Sequence, residues 1–183
     1  MRILLALLIT LLMAGIAPAK EIAGVAIEPT VTVDHHALNL NGSGIRKKFF
    51  VKVYIGSLYA TKKLSTAAEA LRDPGDKLIR MNFLYSKVGK EKIIEAFREG
   101  FANNTPAIAN SVEVKRFLSL FTDDFVRGDT VDIYLGAGGK VSVKHNGKAM
   151  GSVSSPQLGP AILAIYLGNK PADDDLKAGM LGH

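Results

Sequence analysis

The chain has 183 residues, a formal net charge of +6 and no cysteine. Thiol catalysis, thiolate metal sites and disulfides are therefore excluded, and the fold must be held by its core alone. The basic residues are spread out rather than gathered in an arginine-rich tail, and no nucleic-acid motif is present, so the charge points to solubility, an anionic ligand or an anionic membrane surface.

Residues 1–19, MRILLALLITLLMAGIAPA, join Arg2 to an apolar run from Ile3 to Ile16 and end in Ala17-Pro18-Ala19. This is the pattern of a cleaved secretory signal peptide. The run is shorter than the ~20 residues that a bilayer crossing requires. The expected product starts at Lys20 and is periplasmic or secreted. Residues 20–183 suit a single domain with a substantial core.

Two short strands are expected over Glu21–Ile27 and Thr30–Val33. Asn39–Tyr59, NLNGSGIRKKFFVKVYIGSLY, reads as a Gly/Ser/Asn turn followed by one long strand with Arg46 at its base. Alternation puts Val51, Val53, Ile55 and Ser57 on a plain core face. Phe50, Lys52, Tyr54, Gly56 and Leu58 share the other face. That face is too mixed for packing alone, and Gly56 makes room for close approach of a ligand or of backbone.

A short helix follows over Leu64–Leu71, with Ser65 as its candidate cap, then an Asp73-Pro74-Gly75-Asp76 turn and a strand over Lys77–Tyr85. Gly89–Phe101 carries Ile93, Ile94, Phe97 and Phe101 at helical spacing. A second helix runs from about Ala107 or Ser111 to Phe121. Asp129–Leu135, Lys140–His145 and Lys148–Val153 are strands, the last two joined by the hairpin signal Asn146-Gly147. Pro160–Leu167 is a short apolar helix, and Asp173–Leu181, acidic at its start, closes the chain. The order predicts an α+β fold, an antiparallel sheet with helices on one face.

Other chemistries find little support. The GAGGK and HNGK segments lead into strands, whereas a phosphate-cradling loop leads into a helix. His35 and His36, read as strand neighbours, point to opposite faces, and no third ligand lies at metal-site spacing. No Gly-x-Ser-x-Gly elbow exists for a nucleophilic serine.

LNGSGIRKKFFVKVYIGSLYA resembles the signature strand of the bacterial chalcone isomerase-like family. The helix EKIIEAFREGF, the strand pair ending in NGK and the closing AILAIYLGNKPADDDLKAGMLG are also similar to that family, so the likeness spans roughly Val31–Gly182. It implies an open-faced β-sandwich: a curved antiparallel sheet, helices packed against it and a ligand cleft between. No cofactor and no metal are expected. Enzymes of this fold cyclise chalcones, and other relatives bind fatty acids.

By the resemblance, the guanidinium that holds a phenolate or a carboxylate falls on Arg46, and the tyrosine at the substrate ketone falls on Tyr85. The departures are several. A threonine of the enzymes becomes Tyr54, a lysine becomes Val88, an asparagine becomes Lys92, and a threonine-methionine pair becomes Ile165-Tyr166. The candidate ligand-binding residues are thus Arg46, Tyr85, Tyr54, Lys92 and Tyr166. Losing so many polar partners weighs against a site built to hydrogen-bond a polyphenol. The expectation is a non-catalytic protein that takes a small amphiphilic carboxylate. An intramolecular lyase or isomerase and a ligand-free module of the cell envelope are the alternatives. The expected partners are a small amphiphilic or aromatic ligand and, through the basic charge, a membrane surface, but not nucleic acid.

Overall fold

The computed structural model describes residues 20–183; residues 1–19, on which the signal-peptide expectation rests, lie outside them. Lys20–Ile22 (β1) and Val25–Ile27 (β2) form a small antiparallel ribbon where one strand was expected. Ala23 and Gly24 between them both take positive φ, which closes a two-residue hairpin. The chain then runs β3 (Thr30–Val33), β4 (His36–Lys48), β5 (Val51–Ala60), α1 (Ala67–Arg72), β6 (Lys77–Phe83), β7 (Lys87–Val88), α2 (Lys90–Asn104) and α3 (Val112–Leu118). It continues through β8 (Phe125–Val126), β9 (Thr130–Leu135), β10 (Lys140–His145), β11 (Lys148–Ser154), α4 (Leu158–Leu167) and α5 (Asp174–Leu181).

Seven of the strands form one curled antiparallel sheet in the order β11-β10-β9-β6-β5-β4-β3, while β7 and β8 pair separately. The curl carries the β3–β4 turn across to the far side of the sheet. There Lys140 Nζ lies 3.1 Å from Asp34, and His36 pairs with Asp76. Asp34 and His35 form that turn, both at positive φ, so the two histidines are not strand neighbours as expected. One face of the sheet, through Tyr54, Leu58, Ile79, Met81 and Ile133, packs against the helices. The opposite face holds a smaller cluster of Val31, Val33, Leu38, Tyr59, Leu78 and Tyr134. This is the α+β, open-faced arrangement expected.

Local chemistry explains the helix ends. Thr66, not Ser65, caps α1 in a reciprocal capping box with Glu69. Gly89 precedes α2 without a side chain to offer, and Asp124 supplies the missing acceptor, taking a hydrogen bond from the Lys90 amide at 3.0 Å. Ser111 and Asp173 cap α3 and α5. α4 is buried from Leu158 to Leu167 except at the exposed Pro160 in its first turn, as its uniformly apolar sequence requires. Phe97, Phe117 and Phe121 stack edge-on or tilted beneath α2, with centroids 5.2–5.3 Å apart. Each such ring contributes on the order of 2 kcal/mol through burial.

The largest departure from expectation lies in Asn39–Tyr59. It is not a turn and one strand but most of a hairpin, β4 and β5, whose tip is Phe49-Phe50. The Asn-Gly-Ser-Gly stretch is strand, and its glycines form the seat of α5. A Cβ on Gly44 would lie 2.8 Å from Leu176 Cα, and one on Gly56 would lie 2.8 Å from Leu176 Cδ1. The space Gly56 makes is thus filled by α5 rather than by a ligand.

Candidate functional site

A bulge decides which way Arg46 faces. The β4–β5 register steps from Leu40↔Tyr59 to Gly42↔Leu58, leaving Asn41 unpaired. An extra residue exchanges the faces of everything beyond it. Before the bulge, Leu38 and Leu40 face the smaller cluster; after it, Gly42, Gly44 and Arg46 face the helices. Asn41 is itself buried and locked in place. Its amide donates to the carbonyls of Leu64 and Met180 at 2.9 and 2.8 Å, and its oxygen accepts from Leu64 N at 2.7 Å. A second register shift between Arg46 and Lys47 leaves Val53 unpaired.

Arg46 stands directly across from Tyr54, with its guanidinium carbon 5.8 Å from the Tyr54 ring centroid. The two share a cleft with Met81 from β6, Ile93, Ala96 and Phe97 from α2, Ile165 and Tyr166 from α4, and Ala172. The Tyr166 hydroxyl donates to Met81 Sδ at 3.5 Å. Burial pushes that phenol well above the ordinary tyrosine range, and the neighbouring Tyr54 reinforces the effect, so Tyr166 stays neutral and able to donate. Tyr54 holds the Arg46 guanidinium above its ordinary value, against the opposing effect of burial.

Two further facts define the site. Arg46 Nε is buried with no hydrogen-bond partner, and among the described residues no carboxylate pairs with the guanidinium. The nearby Asp173 is taken up by the amides of Lys47 and Leu176. A buried, unpartnered N–H on a permanent cation is costly. The cleft is also closed: the free space at its centre is about 10 Å³, the room of about one water molecule.

The structure therefore brings together three of the five sequence-predicted residues: Arg46, Tyr54 and Tyr166. The other two lie elsewhere. Tyr85 is 44% exposed in the bend after β6, with its amide on Val53 O. Lys92 is on the outer face of α2, its ammonium 3.4 Å from Glu95. Sequence reasoning read Ile93 and Phe97 only as core, and gave no role to Met81, Ala96 or Ala172. A short chain of apolar and small residues carries no mark of a cleft until the sheet curls beneath it. Among the described residues no group of three or more His, Asp or Glu is placed to hold a metal ion.

A curled antiparallel sheet covered by helices, with a half-buried arginine between them, defines an open-faced sandwich. The chain belongs to the chalcone isomerase-like family, whose sequence profile matches residues 19–182. Fatty-acid-binding protein 1 of Arabidopsis thaliana is 31% identical over 108 residues, a match that covers 56% of this chain and 39% of that protein's length. The crystal structure of an Arabidopsis thaliana fatty-acid-binding protein is similar at a TM-score of 0.62 and 23% identity, over 83% of this chain and 95% of that one. At that identity the likeness is one of fold.

Proposed function

We propose that this protein is an exported, non-catalytic member of its family that binds a small amphiphilic carboxylate, such as a fatty acid, between sheet and helices. The observation that carries the reading is the unpartnered Arg46 Nε. A guanidinium offers a planar fork that fits a carboxylate. Here it faces an apolar cleft with two phenols, Tyr54 and Tyr166, as further donors and no competing acid. The set is rich in donors and apolar elsewhere, as an anionic head with an acyl tail requires. The named relatives, fatty-acid-binding proteins, support the same ligand class.

Binding then requires opening. A ligand of drug size fills about 300 Å³ or more, far beyond the closed cleft. The side chains of Ile93 and Phe97 on α2 must part from those of Ile165 and Tyr166 on α4. The closed cleft is also what favours a second reading, a ligand-free structural or partner-binding module. Enzymatic cyclisation is weaker than either. Its carbonyl-polarising tyrosine, Tyr85, does not line the cleft, and Tyr54 fills space that a flat bicyclic substrate needs.

Native mass spectrometry with added palmitate tests the proposal. The wild-type protein should retain one acid per chain, and an Arg46→Met variant, checked for an unchanged thermal transition, should lose it. No uptake by the wild type would overturn the proposal and leave the ligand-free reading.

A further inference from the structure

The tip of the β4–β5 hairpin departs from ordinary surface design in three ways. Phe49 and Phe50 are 88% and 101% exposed. Phe49 is held at φ 56°, a left-handed conformation uncommon for any residue but glycine and its polar substitutes. Lys47 and Lys52 are directly opposite one another in the register, a like-charge pair of which only Lys47 has an acid, Asp175, to offset it. Each feature works against folding, and features of that kind gather where function demands them.

The tip is also free-standing. β6 stops pairing with β5 at Phe83, opposite Tyr54, and β3 covers β4 only over His36–Asn39. Residues 47–52 therefore extend past the sheet as a two-stranded ribbon. Of the six exposed large apolar or aromatic side chains among the described residues, five lie at this end: Phe49, Phe50, Val51, Tyr85 and Val126. The amide of Tyr85 bonds Val53 O, and that of Arg127 bonds Ser86 O, which fixes these segments beside the hairpin. Cations surround them. Lys48 and Lys52 are exposed, with no ion-pair partner among the described residues. Of the three acids at the start of α5, Asp175 pairs with Lys47, Asp173 caps the helix and Asp174 is exposed with no ion-pair partner among the described residues, which leaves Lys48 and Lys52 nearer the tip without a paired acid.

We infer that this hairpin tip docks the protein on an anionic lipid surface, with Phe49 and Phe50 in the headgroup–acyl boundary and Lys48 and Lys52 on the phosphates. Fully exposed aromatic rings ringed by lysines match that boundary in both polarity and sign of charge. The inference rests on the tip and not on the ligand proposed for the cleft.

The chain contains no tryptophan, so a Phe50→Trp variant carries one fluorophore at the tip, on a fully exposed site that leaves the core untouched. Its emission should shift to the blue with vesicles of phosphatidylcholine and phosphatidylglycerol in equal parts. It should not shift with phosphatidylcholine alone. Adding Lys48→Ala and Lys52→Ala should weaken partitioning roughly 30-fold, about a kilocalorie per lysine. A Val112→Trp variant, on α3, should show no shift. No response of the Phe50→Trp variant to the mixed vesicles would overturn the inference, as would an equal response in the Val112→Trp variant. So would a blue shift that grows with protein concentration before vesicles are added, which would assign the tip to a second copy of the chain.

Discussion

The buried Lys77 and the half-buried Arg46 are two cations that the fold treats in opposite ways. The Lys77 ammonium is saturated: it donates to Asp73 O at 2.6 Å, Asp73 Oδ2 at 2.8 Å and Gly75 O at 2.9 Å. Arg46 has a buried Nε with no acceptor and no carboxylate beside it. A lysine with all three donors used is a structural strut. A guanidinium whose Nε lacks an acceptor is, in the function proposed above, the place for an anion that comes from outside. The difference separates a charge that serves the fold from one that awaits a ligand.

The largest effect that would test this contrast is on stability. Lys77→Met leaves the Asp73 carboxylate with the exposed Lys62 as its one ion-pair partner, besides the Gly75 amide, and should lower the unfolding free energy by about 3–5 kcal/mol. Arg46→Met removes a poorly satisfied, half-buried charge and should change stability by less than about 1 kcal/mol, in either direction. Urea denaturation of the two variants measures both. Comparable losses would erase the distinction.

Acid should expose the same asymmetry. Burial alone would raise the Asp73 carboxyl, but hydrogen bonds from Lys62 and Lys77 outweigh it and hold the group at about 2, below its ordinary 3.8. A depressed carboxyl stabilises the fold above its unfolded value, and that stability is lost as pH falls toward the folded one. About 2 kcal/mol should therefore disappear between roughly pH 4 and pH 2. Denaturation across that range should show the loss in the wild type and much less of it in Asp73→Asn.

Smaller effects sharpen the cleft itself. Tyr166→Phe removes one neutral donor and should weaken palmitate binding about 3- to 10-fold. Tyr85→Phe, outside the cleft, should leave affinity unchanged. Isothermal titration distinguishes the two, and a reversal of their order would move the site to the end of β6.

Much of this architecture was legible in the sequence, for identifiable reasons. The β10–β11 hairpin announced itself through Asn146-Gly147, whose residues do take positive φ. The α2 and α5 boundaries followed from periodicity and an acidic start. The β4–β5 hairpin was not legible, because its tip is Phe49-Phe50 and apolar residues run on through Val51. Turn chemistry appeared instead at Asn39–Gly44, where small residues serve the approach of α5. Arg46 entered through family resemblance, and Tyr54 and Tyr166 with it. That Arg46 faces the helices depends on the Asn41 bulge, which no local pattern marks. The resemblance also pointed to Tyr85 and Lys92, positions the fold sets at the end of β6 and on the outside of α2.

The most direct test compares an acid with its alcohol. Palmitate and hexadecanol share a tail and differ in the group that meets Arg46. Titrated into the wild-type protein, the acid should bind about 10- to 100-fold more tightly, the range expected of a charge-assisted hydrogen bond. In Arg46→Met that preference should vanish while hexadecanol binds as before. An acid preference that persists without Arg46, or that is absent from the wild type, would contradict the assignment of this cleft to a carboxylate.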